Sequence, residues 1–128
     1  MYTNSTLQKI APIILRVGLG IVMVWFGWQQ LGNAAQWTSF LPTWAGALPI
    51  SSIALVHLNG WFEVTFGLML IVGFYTQFVA LLLGLHLFGI TFTVGLDAIG
   101  MRDFGLSMAT ISLACLGGGA WSLDQYFS

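Results

Sequence analysis

Charge is nearly missing from this chain. Three Lys or Arg and four Asp or Glu are spread over 128 residues, 5% of the total, where an ordinary soluble domain carries about a quarter. The net charge of −1 leaves no basic footprint for nucleic acid and no polybasic cluster for anionic headgroups. A single cysteine, Cys115, excludes an internal disulfide and a C-x-x-C redox pair, and reads as a small apolar residue in a helix. No Cys, His and carboxylate set at metal-ligand spacing occurs, so no metal site is expected. Internal repeats and low-complexity segments are lacking too.

What the chain has instead is apolar length. It is 58% hydrophobic, with a mean hydropathy of +0.91, which places it in a lipid bilayer. Apolar runs cover 10–31, 53–74, 78–96 and 103–121. About 20 residues cross a bilayer core. The expected fold is therefore an all-α integral membrane bundle of four antiparallel transmembrane helices, one domain over 1–128. Met1–Gln8 reads as a polar tail. Lys9 and the Gly32-Asn33-Ala34 stretch give the first run some likeness to a secretory signal, but it is too long for an h-region and contains Arg16. It reads as a retained helix.

The connection Asn33–Ser52 holds no charge but carries Trp37, Phe40, Trp44, Pro42 and Pro49. Tryptophans gather at headgroup level, so this is an interfacial segment, or a lid over a site opening to that side. Tyr75-Thr76-Gln77 is a short link that makes the second and third runs antiparallel neighbours. Asp97–Arg102 reads as a polar turn, and Asp103 suits the N-terminus of the last helix. Trp121 and the tail to Ser128 return to an interface. Four runs put both termini on one side, and Lys9 and Arg16 outnumber Arg102, which favours a cytoplasmic location for both.

Each run carries one stripe of small or polar residues at helical spacing: Arg16, Gly20 and Gly27; Gly60, Glu63 and Gly67; His86, Gly89, Thr93 and Asp97; Asp103, Ser107, Thr110, Ala114 and Gly117. Facing stripes make a compact bundle. Glu63 is the one carboxylate deep inside an apolar run. A charge at that depth costs about 2.5–3.5 kcal/mol on insertion scales, so it needs a partner, a proton or a wet cavity. At about 1.5 Å of rise per residue, Glu63 and His86 both lie about 16 Å from the N-terminal side and Arg16 about 9 Å, within reach by snorkelling. Arg16, Glu63 and His86 are therefore expected to converge as an intramembrane polar pocket. Asp97, Arg102 and Asp103 form a second polar cluster at the far mouth. A buried Arg16–Glu63 ion pair that only holds the bundle in register is the structural alternative. Haem is disfavoured, because His57 and His86 differ in depth by about 10 Å and cannot clamp one iron. A quinone headgroup or a proton relay suits the pocket.

The chain resembles the DoxX family of small bacterial inner-membrane proteins over nearly its whole length. The resemblance is carried by Arg16-Val-Gly-Leu-Gly20 and Phe26-Gly27-Trp28-Gln29-Gln30-Leu31, by Glu63 with Gly67-Leu68-Met69-Leu70-Ile71-Val72-Gly73, and by Arg102-Asp103 with Trp121-Ser122-Leu123-Asp124. Gln30 stands where relatives often have lysine. The resemblance implies a four-helix inner-membrane protein linked to a thiosulfate:quinone oxidoreductase or to oxidative-stress complexes. Three functions follow as expectations: a subunit of a quinone-linked redox complex, a non-catalytic anchor or assembly partner, and a small proton-coupled transporter. No electron carrier is evident on the chain, which favours a subunit, joined to a protein partner or to further copies of itself, over a free-standing enzyme. Four short runs without paired broken helices disfavour the transporter.

Overall fold

The computed structural model describes residues 5–94 and 97–127, without the side chains of 93 and 94. No strand occurs among the described residues. Helices follow in the order α1 (Ser5–Gly32), α2 (Ala34–Trp37), α3 (Ser52–Val72), α4 (Thr76–Val94), α5 (Ala98–Leu116) and α6 (Leu123–Phe127), with 3₁₀ turns at Thr38–Phe40 and Thr43–Ala47. Among the described residues α1, α3 and α5 are long and apolar enough to cross a membrane, and α4 contributes a shorter apolar stretch, Thr76–Phe92. Only 28% of each crossing window is buried within the chain. The remainder presents Ile21, Trp25, Trp28, Leu68 and Met108 outwards, a surface that water would not tolerate and lipid does.

Glycine sets how the helices pair. Gly20 lies against Gly67, and Gly27 against Gly60, so closely that a Cβ on Gly27 would stand 2.6 Å from the Gly60 carbonyl oxygen. α1 and α3 thus run antiparallel at backbone contact, as small residues permit in membrane packing. α5 approaches α4 in the same way at Gly84, where an added Cβ would stand 2.6 Å from Ile111 Cγ1. α1 packs chiefly on α3 and α4 chiefly on α5. The two pairs meet over a common core of Leu19, Met23, Leu70, Val79, Leu83 and Leu113.

Local chemistry explains the boundaries. Ser51 caps α3 by accepting from the Ala54 amide at 3.1 Å. A Schellman turn ends it: Phe74 N–H donates to Met69 O and Gly73 N–H to Leu70 O, with Gly73 left-handed at φ 74°. α5 begins earlier than expected. Asp97, not Asp103, is its cap, accepting from the Gly100 amide at 2.8 Å, so the polar turn read over 97–102 is largely helix. α5 also stops at Leu116, not near Trp121, because Gly117 takes φ 87°. At the other end, Ser5–Gln8 is helical rather than part of a tail. The stripe assigned to α4 is displaced as well. Gly89 is exposed and His86 half-buried, while Val79, Ala80, Leu83, Leu87 and Thr91 form the buried face. The Thr93 side chain and the end of that run at Gly95–Leu96 lie outside the described residues.

Candidate functional site

Glu63 is 4% exposed and faces α1. Its carboxylate is held by two amides. Gln30 Nε2 donates to Oε2 at 2.7 Å and Asn59 Nδ2 to Oε1 at 3.2 Å, while Asn59 Nδ2 also donates to Gln30 Oε1 at 2.6 Å. The three residues close a ring of hydrogen bonds across the α1–α3 contact. Its direction is fixed by the carboxylate, which as an anion only accepts. From α4, His86 Nε2 approaches Glu63 Oε1 to 3.7 Å, too far for a hydrogen bond. That nitrogen is buried and has no hydrogen-bond partner among the described residues. The His86 ring stacks on Phe62 at 4.8 Å between centroids.

Arg16 does not join this group, contrary to the expected convergence. The antiparallel register places Arg16 near the level of Ile71, about 12 Å along the axis from Glu63. Helical side chains lean towards their own N-terminus. On antiparallel helices that lean brings Gln30 and Glu63 together and carries Arg16 away. Arg16 instead donates from Nη2 to the Trp121 carbonyl at 3.0 Å, beside Gly73, with the Asp124 carboxylate acting on it electrostatically. Asp124 accepts from the Tyr75 and Thr76 amides at 2.5 and 2.7 Å, capping α4, and its own N–H donates to Gly73 O at 2.9 Å. The residues 117–127 thus strap the ends of three helices.

The second expected cluster also divides. Asp97 serves as the α5 cap. Arg102 Nη2 pairs with the buried Asp103 carboxylate at 3.2 Å, and the guanidinium lies 4.8 Å over the Phe26 ring. Arg102 and Asp103 share with Glu63 and His86 a cavity of about 550 Å³ between the two helix pairs, within the range of small-molecule sites. Gln30, Asn59 and Glu63 supply one polar wall and Arg102 with Asp103 another. Met23, Val56, Leu87, Ile90 and Leu106 fill the spaces between, and Trp37, Phe40, Leu41, Pro42 and Trp44 roof it. The roof is braced by the Phe26–Trp37 edge contact at 6.0 Å. Both histidine and glutamate were legible in the sequence, but Gln30 and Asn59 were not assigned. Gln30 continues the Gly20–Gly27 face and Asn59 is one turn before Glu63, which are signals that spacing could have supplied.

Among comparisons with known proteins, the DoxX family model matches residues 11–96, from α1 through α4. No curated protein and no solved structure matches the chain.

Proposed function

The chain belongs to the DoxX family, and from that premise we propose that it is the quinone-binding membrane subunit of a redox complex, of the thiosulfate:quinone oxidoreductase or oxidative-stress type. The observation that carries this reading is the cavity itself. It offers apolar and aromatic walls, sized for a ring and the start of a tail, with two separate polar stations at Glu63–His86 and Arg102–Asp103. A quinone head carries oxygen at two opposite positions and is otherwise apolar. In this reading α4 completes a four-span bundle in a bacterial cytoplasmic membrane, with both termini cytoplasmic and the roof towards the periplasm. Electrons would reach the head from a partner subunit, since the role given to this chain is to bind and orient.

The anchor reading has one observation in its favour. The Gln30–Asn59–Glu63 ring satisfies itself across α1 and α3, as polar glue between membrane helices would. Binding of a quinone analogue to purified wild-type chain, His86→Phe and Glu63→Gln separates the two. The quinone reading expects weaker binding in His86→Phe and altered binding in Glu63→Gln, with the helical fold retained in both. Equal binding in all three, with unchanged activity of the parent complex, would leave the cavity without a quinone role and the anchor reading in its place.

A further inference from the structure

The hydrogen-bonding inventory around Glu63 is lopsided, and the imbalance selects among ligands of one skeleton. A carboxylate offers about four lone-pair sites. The two amides that reach Glu63 occupy one on each oxygen. Further acceptor capacity therefore remains beside the cavity, and nothing on Glu63 donates. Opposite Oε1, at 3.7 Å, stands the buried and unpartnered His86 Nε2. A gap of this width leaves both groups unsatisfied by one another, and leaving a buried polar atom unpaired is costly.

Resting on the quinone reading above, we infer that the ligand presents a hydroxyl to the Glu63–His86 gap, so that the site prefers the reduced, quinol form of a quinone pair to the oxidised form. A hydroxyl both donates and accepts. It can give its proton to the Glu63 carboxylate while accepting from an N–H at His86 Nε2. A quinone carbonyl has only lone pairs. Placed at the same point it too can accept from His86, but it offers Glu63 no proton and turns lone pairs towards a carboxylate that also has only lone pairs, in a site whose low dielectric strengthens the repulsion. Gln30 cannot rescue it by turning over, because its amide nitrogen would then face the Asn59 donor and its oxygen would face Glu63.

The test compares two oxidation states of one short-tailed benzoquinone on the full chain in lipid nanodiscs, by anaerobic equilibrium dialysis. The hydroquinone is expected to bind at least tenfold more tightly. By linkage, that ratio raises the two-electron potential of the bound couple by about 30 mV. The dimethyl ether of the hydroquinone keeps the ring and loses the donor, and is expected to bind no better than the quinone. In Glu63→Gln the new amide donates to a carbonyl, and the preference should fall below threefold. Quinone binding as tight as or tighter than hydroquinone overturns the inference while leaving the quinone reading standing. Binding of neither form removes both. The wild-type comparison decides the matter even if the variant fails to fold.

Discussion

Replacing Gly27 with alanine should force the candidate site open from a distance. The new Cβ would stand 2.6 Å from Gly60 O and 2.8 Å from Val64 N, both backbone atoms that cannot rotate aside. Ordinary contact begins at 3.4 Å, so α1 must withdraw from α3 by about 0.8 Å. The same displacement lengthens the 2.7 Å Gln30–Glu63 bond by up to about 0.8 Å, towards the limit of useful length. Overpacking of this kind costs about 1–3 kcal/mol, and losing a hydrogen bond to a charged group adds up to a further ~1.5–3 kcal/mol. The helix-propensity gain of about 0.5–1 kcal/mol on replacing glycine does not offset that. Gly18→Ala is the matched control, because nothing lies within 4 Å of the Cβ it adds. Reversible unfolding in mixed micelles, followed by circular dichroism, should show Gly27→Ala destabilised by at least 2 kcal/mol relative to Gly18→Ala. Equal stability of the two variants would refute backbone contact between α1 and α3, and with it the register that assigns Gln30 to Glu63.

Arg16→Leu and Glu63→Leu should be additive in stability within about 0.5 kcal/mol, as for independent sites, whereas Arg16→Leu with Asp124→Ala should not; a coupled first pair in a double-mutant cycle would put Arg16 back in the pocket. Asp124→Ala removes the α4 cap and should cost about 1 kcal/mol, measurable in the same unfolding assay, with no loss contradicting the strap. Gly73→Ala should fail to fold stably, since its φ is 74° and the added Cβ would fall on the Arg16 guanidinium; yield of monodisperse protein checks this. In a Cys115→Ser background, cysteines at Ala35 and Met101 should react with an impermeant thiol reagent from outside and one at Gln77 only from inside, and the reverse pattern would invert the topology.

Apolar run length was enough to reveal three helices able to cross a membrane and the shorter apolar α4, because the bilayer allows few alternatives. Ends were less legible. Whether Asp97 or Asp103 caps α5 depends on which carboxylate meets a free amide, and both precede apolar sequence. The Glu63–His86 approach followed from counting residues along two helices joined by a tight turn, where register is nearly forced. Arg16 was misplaced because depth alone ignores direction: its side chain leans towards its own N-terminus, whereas that of Gln30 leans into the site. The acceptor of Arg16 is a main-chain carbonyl at Trp121, which side-chain pattern does not disclose. The shift of the α4 stripe has a similar origin. That helix is apolar all round, so composition does not distinguish the face packed on α5 from the one turned to lipid.

The strap formed by residues 117–127 has a consequence in time. Arg16 and the Trp121 carbonyl that receives it are 105 positions apart. At a synthesis rate of about 5–20 residues per second, roughly 5–20 seconds separate their emergence. Throughout that interval the first helix carries a guanidinium without its final acceptor, in a span where an ionisable side chain needs a partner. Insertion of α1 is therefore provisional, held by its apolar length and its contact with α3, until the Trp121 segment arrives. A chain cut between α5 and Trp121 should therefore insert α1 yet lack the acceptor of Arg16.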